Sequence, residues 1–301
     1  MTQHDAQTAA EVLGTATETA TETATATGVV VGVDDSASAR AAVAWAAAAA
    51  VRRDVALHLV EVLPGPADPA DAVGGAGPAA PRGRARALLS RARDIALATS
   101  PGLTVTMHTR SGRVGTALVE HAADAALLVL GSNGPGGPIP LSLGSVLAET
   151  TRHCSCPVVL VPPATRRRAP SGEEPVLVAL EDSPDGEKAL AFAADVAARR
   201  GAALTVLGGP AEAGTAGEPA ALGRLRERRP DLTIRYRTIS APLADALLAA
   251  DTDAGLLVTP PLRRRASREH PVAGWTAHFL PVLSTCPVAV VSAHSRWSTA
   301  L

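Results

Sequence analysis

Gly131, Gly134, Gly144 and Ser145 stand at the spacing G-x2-G-x9-G-S within "GSNGPGGPIPLSLGS", directly after the apolar run "LLVL". Glycine lets a backbone approach a ligand closely and turn its amides toward it, so successive N–H groups can form a concavity for an anion. Gly144 and Ser145 then open the amphipathic stretch "SVLAETTRH". A helix start offers unpaired N–H groups and a dipole that favours negative charge, and a serine hydroxyl adds a donor. That chemistry suits a di- or triphosphate. A Gly/Pro-rich turn before an ordinary helix cap would use the same residue types, so both readings stay open at this point. The pattern is not a P-loop, because no Gly-Lys-Ser/Thr follows and the single lysine is Lys188. Nor does it follow the first strand, where a dinucleotide fingerprint would lie.

The elements that must position these residues repeat along the chain. "GVVVGVDDSASARAAVAWAAAAAVRRDVALHLVEVL" reads as a β-branched strand, an acidic pair, Ser36, an Ala-rich helix and a second strand. "PVLVALEDSPDGEKALAFAADVAARRGAALTVLGG" repeats that order from Pro175, and "CSCPVVLVPP" is echoed by "TCPVAVVSAH". In the first copy, strands are expected near 29–33, 56–63, 103–109, 126–130 and 157–161. Helices are expected near 36–52, 83–99, 113–124 and 144–153. Continuous apolar strands alternating with helices predict strands covered on both faces. The fold class is therefore α/β: two Rossmann-like, doubly wound domains, each with a five-stranded parallel sheet, produced by an internal duplication. The expected boundaries are a disordered tail at 1–27, domain 1 at 28–163, a linker at 164–174, domain 2 at 175–294 and a C-terminal tail at 295–301. Residues 64–83 read as a flexible connection after the second strand.

Composition excludes several functions. Hydrophobic residues make up 47% of the 301, net charge is −1 and aromatic residues are 2%. Such a chain can bury a core in each half and is neither a generally basic nucleic-acid binder nor a platform for stacking bases. Three sparse cysteines, Cys154, Cys156 and Cys286, do not make a disulfide framework. The start lacks a secretory signal, and no apolar run approaches the ~18 residues that cross a bilayer. A cytoplasmic protein without nucleic-acid or membrane partners is expected.

"VVVGVDDSASARAAVAWAA", "GSNGPGGPIPLSLGSVLAETTRHCSCPVVLVP" and the duplication together resemble the universal stress protein family in its tandem form, over nearly all the chain beyond residue 28. Gly131, Gly134, Gly144 and Ser145 match the ATP-binding signature of that family's nucleotide-binding branch. The resemblance implies that Val33, Asp34 and Val62 line the adenosine, and that Gly131, Ser132, Gly134, Gly144, Ser145 and Val146 hold the phosphates. It implies ATP as cofactor, with Mg²⁺ as its counter-ion. Asp34 would serve the ribose hydroxyls or the nucleotide-bound Mg²⁺, since a carboxylate suits both. Family members dimerise, so the two halves are expected to pair within the chain, with a homodimer of whole chains left open. A protein partner is implied without being identified.

The sequence departs from the family's pattern in places. Pro135, Pro138 and Pro140 lack an N–H, Asn133 stands where arginine is frequent, and Asp35 adds negative charge where glycine is frequent. These changes are expected to weaken ATP binding without abolishing it. In the second copy Thr259, Leu262, Gly274 and Trp275 replace Gly131, Gly134, Gly144 and Ser145, and the indole argues against a phosphate there. Arg263–Arg265 lie in that loop and leave another anion open, whereas Arg166–Arg168 read as solvated linker.

"HCSC" fits buried structural cysteines better than zinc, since C-x-C has no second ligand pair to complete a site. No catalytic set is evident. His58, His108, His121 and His153 read as ordinary helix or strand residues, and Trp45 as core packing on the sheet. A non-enzymatic, ATP-responsive regulatory protein is the leading expectation, with slow hydrolysis at most. One alternative is a protein-interaction module of the same fold with a decayed nucleotide site. Another is an enzyme that activates its substrate through AMP.

Overall fold

The computed structural model describes residues 27–63, 79–133, 144–163, 174–209, 219–239, 243–251, 254–261, 280 and 283–296. The N-terminal tail, most of the linker, the connection at 64–78 and the loops around Gly134 and Gly274 lie outside the described residues.

The first half runs β1 (Val29–Gly32), α1 (Ala37–Arg53), β2 (Leu57–Leu63), α2 (Ala79–Thr99), β3 (Val105–Ser111), α3 (Val114–His121), β4 (Leu127–Gly131), α4 (Gly144–His153) and β5 (Val158–Val161). The second runs β6 (Val176–Leu180), α5 (Pro184–Arg200), β7 (Leu204–Gly208), α6 (Ala220–Arg228), β8 (Ile234–Thr238), α7 (Leu243–Ala250), β9 (Leu256–Thr259) and β10 (Val288–Val290). Helix α2 starts a turn before the expected residue 83, because Ala79 and Ala80 favour helix and Pro81 fits a first turn. Helix α3 ends at His121 rather than 124 and gives way to a turn through Ala122–Asp124.

Caps follow the duplicated sequence. Ser36 accepts a hydrogen bond from the Ala39 N–H at the start of α1, and Ser183 accepts one from Gly186 at the start of α5. Asp54 and Gly201 close these helices in the left-handed region, at φ 54° and 64°.

The strands form one ten-stranded sheet in the order β3-β2-β1-β4-β5-β10-β9-β6-β7-β8. Pairing within each half is parallel, and the halves join where β5 and β10 run antiparallel, with Leu160 opposite Val288 and Val158 opposite Val290. Two five-stranded units thus merge edge to edge. In half one the chain leaves β1 toward β2 and β3, then returns to β4 and β5 on the other side. The crevice between the carboxyl ends of β1 and β4 is therefore the switch point where such sheets bind ligands.

One face of the sheet, under α1, α2, α5 and α6, carries a single apolar core that crosses both halves. The opposite face carries two separate clusters, one in each half. Trp45 is buried against the sheet, as expected, and also meets the other half. Arg200 of α5 lies 5.7 Å over its ring, while Arg53 of α1 lies 5.9 Å over Phe192 of α5. Burial lowers the Arg53 pKa to about 10, and Asp195 at 3.8 Å opposes that shift. Among the described residues no helix is long and apolar enough to cross a membrane.

Candidate nucleotide site

Three short strands end side by side at the switch point. Beyond β1, Val33 continues the ladder by donating its N–H to Val60 at 2.8 Å, and its side chain is buried. Asp34 follows, half-buried, and its Oδ1 accepts the Ser36 N–H at 2.8 Å, which turns the chain into α1. Asp35 is exposed, with Arg91 of α2 3.6 Å from its carboxylate, a pairing that solvent screens. Arg40 also donates to the Asp35 carbonyl at 3.0 Å.

The close approach of β4 to α1 explains Gly131. A Cβ there would lie 2.6 Å from Ser38 Oγ and 2.7 Å from the Ala39 backbone nitrogen, so only glycine fits. Ser38, buried in the first turn of α1, ties the two elements together. Its Oγ accepts the Asn133 N–H at 3.2 Å and donates to the Asn133 carbonyl. Sequence reading missed this tether, whose partners are 95 positions apart.

Ser132 is fully buried, and its N–H donates to Val161 at 2.9 Å. Its hydroxyl has no hydrogen-bond partner among the described residues, and neither does the buried Oδ1 of Asn133. Glu61, near the end of β2, also holds a buried oxygen without such a partner. Burial raises the Glu61 pKa, with Arg84 and Arg91 pulling against it. Nothing in "LHLVEVL" distinguishes this acid from an ordinary solvent-facing strand residue.

Val62 lies opposite Arg110 of β3 and packs on the cluster that also takes Val146 and Leu147 of α4. Val33 belongs to the core on the other face, so the two valines flank the strand ends from opposite sides. Beside Val33 and Asp34 a cavity of about 280 Å³ opens between α1 and α2, over Val43, Leu88 and Ile95. Gly144 and Ser145 form the first turn of α4. Gly134, Pro135, Pro138 and Pro140 lie outside the described residues.

Half two differs at the matching place. Thr259, buried at the end of β9, donates its hydroxyl to the Pro260 carbonyl at 3.0 Å. Leu262, Arg263–Arg265, Gly274 and Trp275 lie outside the described residues. Cys154 and Cys156 are buried with their sulfurs 3.7 Å apart. Among the described residues no group of three His, Cys, Asp or Glu could hold a metal ion.

The profile of the universal stress protein family matches residues 27–162. A universal stress protein of Mycolicibacterium smegmatis is 30% identical over 290 residues, which cover 86% of this chain and 94% of that protein. The chain belongs to the universal stress protein family. A crystal structure of a universal stress protein from Archaeoglobus fulgidus aligns over 88% of this chain and 96% of its own, with a TM-score of 0.65 and 15% identity. At that identity the likeness is one of fold, and it spans the tandem arrangement. A universal stress protein solved in complex with cAMP is 32% identical, over 45% of this chain and 94% of its own, with a TM-score of 0.35. The cyclic nucleotide belongs to that structure. In the present universal stress protein, the spaced-glycine motif sits in half one, between β4 and α4.

Proposed function

We propose that this universal stress protein binds one adenine nucleotide, ATP with Mg²⁺, at the carboxyl ends of β1, β2 and β4 in half one. The observation that carries the reading is the pair of buried polar atoms, Ser132 Oγ and Asn133 Oδ1, at the end of β4, which have no hydrogen-bond partner among the described residues. A buried polar group without a partner costs about 1–3 kcal/mol, so its persistence beside a glycine motif points to a ligand that completes it. In half two Thr259 stands at the position of Gly131 and Pro260, which has no side-chain donor, at that of Ser132, a contrast that supports a single site.

In this reading Val33 and Val62 flank the adenosine and Asp34 takes the ribose hydroxyls or the Mg²⁺. Gly131, Ser132, Gly134, Gly144, Ser145 and Val146 receive the phosphates. The residues fit a nucleotide-borne Mg²⁺, which needs only one or two carboxylates besides phosphate oxygens. Occupancy would report nucleotide level to a protein partner in a cytoplasmic stress response, without catalysis as the main task.

The competing reading, an interaction module with a decayed site, draws on Gly131, whose need for glycine is met by packing against Ser38 and Ala39. Thermal unfolding separates the two. A ligand at hundredfold excess over its Kd stabilises the native state by about 2.7 kcal/mol, which raises the Tm measurably. An unchanged Tm in millimolar Mg²⁺-ATP would favour the interaction module.

A further inference from the structure

His58, His108 and His121 come from β2, β3 and α3, yet their ring centroids lie 5.6, 6.4 and 4.7 Å apart. Strand register places His58 opposite Thr106 and Val60 opposite His108, so these side chains share the face that α3 covers. His121, the last residue of α3, is only 2% exposed.

The hydrogen bonds fix the tautomers. The Thr27 carbonyl can only accept, so His58 Nε2, 3.1 Å away, carries a proton and donates it. His58 Nδ1 then accepts the Thr106 hydroxyl at 2.8 Å. Having given its single proton, Thr106 Oγ1 must accept from His108 Nε2, also at 2.8 Å. His121 Nδ1 accepts from the Arg110 guanidinium at 2.9 and 3.2 Å, so its Nε2 carries the proton and lies buried without a partner among the described residues. Three neutral rings satisfy this network. A proton arriving at His58 or His121 displaces an existing donor, and a metal ion would need the same lone pairs.

Arg110 stands against the cluster. Arg110 and the other rings act on His108 and His121, and all of them oppose a further positive charge. Around α3, Glu149 of α4 is engaged at the helix start by Thr116 at 2.6 Å and Arg113 at 3.9 Å. Beyond the helix end Asp124 pairs with Arg296 at 3.4 Å, and Glu120 is exposed. Burial first, then the other rings and Arg110, push His108 down to about 4 and His121 to about 3. The matching strand positions of half two hold Thr205, Arg235 and Arg237, so half two lacks the device.

We propose that this histidine cluster is an acid sensor: its neutral rings lock β3 and α3 onto β2, and protonation releases them. Glu149 links α3 to α4, whose first turn carries Gly144 and Ser145, so release reaches the nucleotide helix. That last consequence rests on the nucleotide reading; the release itself does not.

A ring with a depressed pKa in the closed state stays neutral there and takes a proton once opened, so opening is favoured as pH falls below about 6.5 and is unaffected above it. At about pH 5.5 each freed ring multiplies opening about elevenfold, so His108 and His121 together give about a hundredfold.

Amide hydrogen exchange of the full chain at about pH 7.5 and about pH 5.5, corrected for intrinsic exchange rates, reads this directly. The expected result is a rise of about a hundredfold in opening for β3 and α3, with β6 and β7 of half two unchanged. In His108→Gln the rise drops to about tenfold. A wild-type rise below about tenfold, or an equal rise in β6 and β7, overturns the proposal. Should His108→Gln not fold, the imidazole NMR titration of wild type decides. His108 and His121 rings that remain neutral below about pH 5 support the proposal, and rings titrating at the ordinary value of about 6.5 overturn it.

Discussion

Ser132 is the residue at which stability and the proposed nucleotide binding are set against each other. Its hydroxyl is buried and has no partner among the described residues, so the free protein carries a desolvation cost that a phosphate or ribose oxygen would remove. Ser132→Ala is therefore expected to stabilise the ligand-free protein by about 1 kcal/mol in chemical denaturation while weakening its affinity for ATP. A destabilised Ser132→Ala protein would show that the hydroxyl is satisfied and serves the fold. The glycine spacing and Ser145 were legible in the sequence because they form one local pattern. The Ser38–Asn133 tether and the histidine cluster were not. Their members are brought together only by strand pairing and helix docking, and the histidines taken singly read as ordinary strand and helix residues.

At the scale of elements, the carboxyl end of β4 and the start of α1 are held so close that a side chain at position 131 has no room. Gly131→Ala must push against the Ala39 backbone and the Ser38 hydroxyl rather than against a flexible chain end. Overpacking of this kind costs about 1–3 kcal/mol, and equilibrium denaturation should show a matching fall in the midpoint. An unchanged midpoint would mean that β4 and α1 can part without loss. Strands and helices were largely legible, because continuous apolar runs, Ser36 and Ser183 caps and the basic last turns state them locally. Boundaries shifted where propensity is weak on both sides of the junction, at Ala79 and after His121.

Across the whole molecule the duplication was legible as repeated order, and the five-strand units follow from it. The antiparallel union of β5 with β10 follows from no local signal, since "PVVLV" and "PVAVV" read as buried strands whatever their outer neighbour. Reciprocal stacking of Arg53 on Phe192 and Arg200 on Trp45 repeats the same pseudo-twofold relation across the α1–α5 seam. Within this paired frame the halves have diverged: half one keeps the glycine motif and, among the described residues, polar atoms without a partner, whereas half two has Thr259 for Gly131 and Pro260 for Ser132. One nucleotide per chain, bound in half one, is therefore expected. Calorimetric titration of Mg²⁺-ATP into wild type and into Gly144→Trp, a substitution that brings the bulk of Trp275 into the motif, tests this most directly. Saturable binding of one nucleotide per chain, lost in a folded Gly144→Trp protein, is the predicted result. No binding to wild type, or binding that survives Gly144→Trp, would contradict it.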